Sequence, residues 1–270
     1  MAKLRTRKHK VVLARSAGGD AGISVILVIL GAFMFLPMVY VMSPTLKNFK
    51  DLFTLMNISW VPFSRYIFNT VLVSVAGTAG HLFLASLAAY ALAKIKFPGR
   101  DLMFQTVQMS LMFNATVTAI TSFILMSALH WLDTYWALIV PAWCSSLGLY
   151  LMKQFMDTNV NDSVLESARL DGAKELKIFW VIAMPMVKPA WLTLIIYSFQ
   201  GLWNAGASMY IYSEQYKSFN YAIGQILAGG IKRAGAGAAS QVIMMLVPII
   251  IFVISQSNII ETMGSSGMKD

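Results

Sequence analysis

The chain has 270 residues, of which 57% are hydrophobic and only 12% charged, and its net charge is +9. Soluble domains carry about a quarter charged residues, so an ordinary soluble globular domain is excluded. The lone Cys144 excludes an internal disulfide and a cysteine-built metal centre, and the excess of cations does not read as a nucleic-acid interface, because the basic residues sit beside apolar runs rather than on a soluble domain.

The first apolar run, 21–43, follows six Lys/Arg between Lys3 and Arg15. Its length exceeds the about 7 to 15 apolar residues of a cleavable signal and no small-residue cleavage site closes it, so it reads as a retained spanning helix that starts in the cytoplasm. Further runs follow at 66–93, 102–129, 135–155, 190–212 and 238–259. About 20 helical residues cross a bilayer, so the expectation is an all-α polytopic membrane protein with six transmembrane helices and both termini on one side. Placing that side in the cytoplasm puts 15 Lys/Arg inside and 6 outside, as the positive-inside rule requires. The expected organisation is a basic cytoplasmic N-terminus over 1–20, one transmembrane domain over 21–260 with a cytoplasmic loop at 157–189, and a cytoplasmic tail over 261–270.

Residues 163–189, SVLESARLDGAKELKIFWVIAMPMVKP, interrupt the oil. Six charges lie between Glu166 and Lys177, and at about 3 kcal/mol each their insertion into lipid would cost about 15 to 20 kcal/mol. The stretch belongs in water or against a protein. Ser163 and Glu166 have capping-box spacing, which predicts a short helix starting at Ser163. Gly172 suits the left-handed turn that ends such a helix. A second helix is expected from about Ala173 toward Pro185 and Pro189, whose missing amide protons end or kink it. Val164, Leu165 and Ala168 share a side of the first helix, and so short a helix needs packing to persist. An ordinary cytoplasmic loop would satisfy the same spacing.

Glu166-Ser167-Ala168, Gly172, nine residues and then Ile182-Ala183-Met184-Pro185 resembles the EAA motif of ABC importer permeases, with Ser167 and Met184 as mild departures. Asn69-Thr70, Ala88-Ala89-Tyr90-Ala91-Leu92-Ala93 with Phe97-Pro98-Gly99-Arg100, Asp133 to Pro141, Trp203-Asn204 and Thr45 to Phe49 extend the likeness to the maltose-type sugar permeases, specifically the second permease of the heterodimer. The resemblance implies a type I importer permease that is not an enzyme. A second permease subunit, a cytoplasmic ATPase dimer and an extracytoplasmic solute-binding protein would be its partners, and a sugar or oligosaccharide its cargo. Glu166, Ser167, Ala168, Asp171, Gly172 and Pro185 would dock on the ATPase. The chain has no GxxxxGK[ST] phosphate loop and no cofactor of its own is expected, so ATP and Mg would be bound by that ATPase. Departures occur in the proline-free segment 112–121 and at Ala205-Gly206-Ala207, and both bear on cargo identity more than on fold.

Polar side chains within spans face a cavity or another helix, which makes Asn114, Gln200, Trp203 and Asn204 candidates for the substrate path. Hydrogen bonding across the bundle is the competing reading. His81, near Gly77 and Gly80, reads as a neutral imidazole bonded between helices, and Cys144 as a small core residue. His130 with Asp133 is too little for a metal site, and no metal is expected. Lys94, Lys96, Arg100 and Asp101 read as headgroup anchors, with contact to the coupling region as the second possibility. Residues 229–237 read as a flexible outer linker. Other classes consistent with the hydropathy are a permease for a polyamine or peptide, an ATP-independent channel, and an integral-membrane enzyme. No paired carboxylates, HExxH or Ser/His/Asp cluster supports the last.

Overall fold

A computed structural model describes residues 24–33, 46–56, 61–113, 115–230 and 233–266. The basic N-terminus, the two ends of the first apolar run (21–23 and 34–43), Thr45, Asn114 and residues 267–270 of the tail lie outside them.

In chain order the helices are α1 (Ser24–Phe33), α2 (Leu46–Met56), α3 (Phe63–Lys94), α4 (Arg100–Ser110), α5 (Ala115–Ala128), α6 (Trp136–Trp143), α7 (Ser146–Asn159), α8 (Asp162–Leu170), α9 (Glu175–Ile178), α10 (Met184–Met186), α11 (Lys188–Trp203), α12 (Phe219–Ala228) and α13 (Ala234–Ser266). The described residues contain no strand. Helix α3 and the Ala234–Ile254 part of α13 are each long and apolar enough to cross a membrane, and the bent unit of Glu175–Met186 with α11 is a third candidate. The apolar run at 102–129 is not one helix. Three successive backbone bonds tighten to i→i−3 at Leu111, Met112 and Phe113, and separate α4 from α5. The run at 135–155 is likewise parted at Cys144 and Ser145, where α6, with Pro141 inside it, ends and an extended Ser145 precedes α7.

Helix α3 is the axis of the fold, packed on α11, α7 and α6, while α13 packs on α11, α2 and α12. Close approach is built with small residues. A Cβ on Gly80 would lie 2.1 Å from the Trp143 indole nitrogen, and one on Gly77 would lie 2.5 Å from Leu202 Cδ1. The glycines once read as a linker serve the same purpose. Gly235 and Gly237 lie within α13, against Asn48 of α2 and Leu227 of α12.

Two buried clusters occupy opposite ends of α3. Leu52, Phe63, Tyr66, Trp203, Phe219 and Ile223 gather around its start. Ala89, Tyr90, Met152, Met156, Leu165, Ile178 and Phe179 gather around its end, which places part of the charged interruption inside a core.

Candidate coupling loop

Helix α8 begins two residues earlier than the capping box requires, with extended Asn161 rather than Ser163 as its N-cap and no side chain capping it. Ser163 lies within the first turn, where its carbonyl accepts from the Ser167 hydroxyl at 3.0 Å. The carboxylate of Asp162 takes over, favourably placed at the positive helix end and bonded to Lys94 Nζ at 2.8 Å. That bond holds the Asp162 carboxyl below its ordinary range.

The other end closes as expected. Gly172 has φ +77, its N–H reaches Arg169 O at 3.0 Å, and the Ala173 N–H reaches Ala168 O at 3.0 Å, the paired pattern of a Schellman turn. Ala168 and Ala173 both rest against the core cluster, supplying the apolar contact that accompanies such turns.

Of the three apolar residues placed on one side of α8, Leu165 is the anchor, at 1% exposure, whereas Val164 points outward. Arg169 donates to Glu175 at 2.6 Å and Glu175 accepts from the Tyr90 hydroxyl at 2.8 Å. The guanidinium beside it, assisted by Tyr90, holds the Glu175 carboxyl below its usual range. Lys94 was read first as a headgroup anchor. Its side chain is 6% exposed and its ammonium is tied to Asp162 of α8, which compensates a charge that would be costly to bury unpaired.

The second arm starts at Glu175 and passes through a π-helical turn, Phe179–Ala183, before Pro185. In a regular α-helix the Pro185 ring would press on the carbonyl of Val181; the wider turn, in which the Met184 N–H bonds Phe179 O five residues back, relieves this. At Val187, just ahead of Lys188 and Pro189, the axis bends by 83° into α11. Glu166, Ser167, Asp171, Gly172 and Pro185 remain solvent-facing, and Ala168 is half-buried. Among the exposed apolar residues of the loop are Leu170, at 90%, and Leu176. A 400 Å³ cleft lies between α8 and the end of α3, lined by Lys94, Lys96, Arg100, Asp162, Glu166 and Arg169 among others.

The substrate-path candidates do not converge. Trp203 is buried at 1% exposure, stacked on Phe199, with its indole N–H donating to Met244 O at 2.9 Å. Gln200 and Asn204 are exposed and bonded to each other, Asn204 Nδ2 donating to Gln200 O at 2.9 Å. A 320 Å³ cavity does lie nearby, between the first turns of α3 and the loop 205–218, lined by Asn69, Thr70, Leu202, Tyr210 and Tyr216 among others.

Asn69, Thr70 and Asp133 meet at that loop. Asn69 donates to Gln215 O and Lys217 O, both at 2.9 Å, and accepts from the Tyr135 hydroxyl at 2.7 Å. Thr70 Oγ1 accepts from the Phe219 N–H at 2.8 Å. Asp133, with φ +59, accepts from the N–H groups of Tyr212 and Ser213 at 3.0 and 2.8 Å and from the Ser213 hydroxyl. Burial alone would raise its carboxyl, but these donors outweigh it and hold the group low. Among the described residues no group of three His, Cys, Asp or Glu gathers as metal ligands. His81 is bonded between helices, Nδ1 to Ser198 Oγ at 3.1 Å. Cys144, expected in the core, is exposed because it sits at the break that ends α6.

The described residues thus form an all-helical unit with a charged loop folded back on α3. The family described as "Binding-protein-dependent transport system inner membrane component" matches over residues 81–263, and the chain belongs to it. It is therefore a transport component and not an enzyme.

Among similar proteins, Protein LplC of Bacillus subtilis (strain 168) is 31% identical over 189 residues, 64% of this chain and 63% of its own. The polygalacturonan/rhamnogalacturonan transport system permease protein YtcP of the same organism is 34% identical over 158 residues, 55% of this chain and 54% of its own. The sn-glycerol-3-phosphate transport system permease protein UgpE of Yersinia enterocolitica is 33% identical over 143 residues, 53% and 50% of the two chains. The chain thus spans about half to two thirds of the length of these relatives. A crystal structure of a bacterial ABC transporter that imports the acidic polysaccharide alginate has a chain similar in fold, with TM-score 0.77 and 22% identity over 90% of this chain and 98% of that one.

Proposed function

We propose that this chain is one of two permease subunits of a binding-protein-dependent ABC importer, and that it carries a sugar or oligosaccharide across the cytoplasmic membrane. The observation that carries the reading is α8. It is a nine-residue helix too short to persist alone, tied to α3 directly at its start through Lys94 and by way of Glu175 at its end, and it presents Leu170 at 90% exposure to solvent. An exposed leucine beside Glu166 and Asp171 suits docking in a cleft of a cytoplasmic ATPase, with ATP and Mg bound there. The EAA-type residues Glu166, Ser167, Ala168, Asp171 and Gly172 would form the contact, and Pro185 would shape the arm behind it.

Six crossings with both termini cytoplasmic complete the reading, with α4 to α7 contributing as paired shorter helices. The charge asymmetry of the loops supports this orientation. The names of YtcP and of the alginate importer support a saccharide cargo, delivered by an extracytoplasmic solute-binding protein and passed between this chain and a second permease. The test is uptake of radiolabelled oligosaccharide into proteoliposomes holding both permeases, the ATPase and the binding protein. Uptake that requires internal ATP is expected, and solute or ion flux without nucleotide overturns the reading in favour of a channel.

A further inference from the structure

We propose that α3 is a strut that mechanically joins the coupling helix α8 to the loop 205–218, with Lys94 and Tyr90 as positioning residues at one end and Asn69 at the other. This rests on the importer reading above. In 32 residues without proline, α3 spans about 48 Å, the full depth of a bilayer and more. A helix of that kind moves as one body, and what is bonded at one end is displaced with it.

Both ends are held by directional bonds. At one, Lys94 meets Asp162 at the start of α8 and Tyr90 meets Glu175, which also holds Arg169 near the end of α8, so the coupling helix is gripped at two points about two turns apart. Leu165, between these two points on α8, is buried in the same cluster as Ala89 and Tyr90. At the other end the Asn69 side chain uses both amide hydrogens and its carbonyl oxygen, clamping two carbonyls of the loop while accepting from Tyr135. Tyr66 adds a bond to Glu214 at 2.8 Å. Asn69 is 1% exposed, and an amide so enclosed cannot exchange its partners for water without opening the packing around it.

The second arm from Glu175 to Met186 is a poorer transmitter, because it is interrupted by a π turn and then bent by 83°. Displacement of α8 therefore reaches the loop through α3, and by reciprocity a contact on the loop biases the position of α8.

The complete importer provides the test. Cys144 is the chain's sole cysteine, so after Cys144→Ser a single thiol at Tyr212→Cys, an exposed loop position, carries an environment-sensitive fluorophore. ATP with vanadate is the probe. The label is expected to shift in the otherwise unmodified importer, and the shift is expected to fall at least fivefold in Lys94→Ala with Tyr90→Phe and in Asn69→Ala, with the ATPase still co-purifying. The charge swap Lys94→Asp with Asp162→Lys is expected to restore at least half of the response lost in Lys94→Ala. An undiminished shift in the variants, or a label that does not respond in an importer that takes up its cargo, overturns the strut. Absence of ATP-dependent uptake in the unmodified importer instead overturns the functional reading.

Discussion

Gly172 shows how one backbone angle sets the geometry of the loop. Its φ of +77 is open to glycine and disfavoured for side chains with a Cβ, while no atom lies within 4 Å of where that Cβ would stand. The cost of replacement is therefore conformational rather than steric, about 1 to 2 kcal/mol, and larger for a β-branched residue. Gly172→Val is expected to abolish ATPase co-purification, whereas Gly172→Asn, which tolerates the left-handed region, should retain most of it. Gly148 is the opposite case, because a Cβ there would lie 2.2 Å from His81 Nε2. Gly148→Ala is expected to lower the thermal midpoint of the detergent-solubilised protein by several degrees, and His81→Ser in the same chain should recover part of the loss. Melting curves of the single and double variants decide the point.

At the level of the element, α8 is a short amphipathic helix made persistent by two ion pairs and one buried leucine. The carboxyls of Asp162 and Glu175 are both held below their ordinary values, the first chiefly by Lys94 and the second chiefly by Arg169. A carboxyl depressed in the folded state contributes stability that is fully present above its unfolded pKa, about 4 for either residue type, and that is lost as the pH falls through the lower folded value. The protection factors of the amides over 162–175, which are corrected for the pH dependence of intrinsic exchange, are accordingly expected to hold from pH 7 down to about pH 5 and to fall below about pH 4. In Lys94→Ala the depression of Asp162 goes with its partner, so protection should already be lower at pH 7 and its fall on acidification smaller, with the Glu175 contribution remaining. Leu165→Ala removes the third support and should raise exchange at every pH; truncation of a buried leucine costs about 2 to 5 kcal/mol.

Across the whole molecule, the long α3 sets one end of the chain against the other. The loop bearing Leu170 and the cavity beneath 205–218 lie around opposite ends of that helix, an arrangement that suits the proposed function. Leu170→Glu places a charge on the docking knob without touching the core. It is expected to reduce ATPase co-purification at least tenfold while leaving the thermal midpoint of the isolated subunit unchanged, measured on the same preparations.

How much of this was legible beforehand differs from residue to residue. Hydropathy located the spanning α3 and α13, and the charge run 163–189 located the loop, because burial and desolvation act on composition alone. The glycine turn at Gly172 was equally readable, since its requirement is local. Helix starts were less so: Ser163 and Glu166 carry the spacing of a cap, but Asp162 already had a cation to meet on a helix 68 residues earlier. The splitting of two apolar runs into α4 and α5 and into α6 and α7 also escaped periodicity, because an apolar side chain does not report where the backbone turns. Trp203, Gln200 and Asn204 show the same limit, since a polar group within oil announces that it needs a partner and not which one. Sequence by itself thus determined class, loop and turn, properties fixed by solvation and local dihedrals. The tertiary structure decided which polar residues meet. The ties of Lys94 to α8 and of Tyr90 to Glu175, and of Asn69 and Asp133 to the loop beyond, depend on distances across the fold that no local pattern encodes.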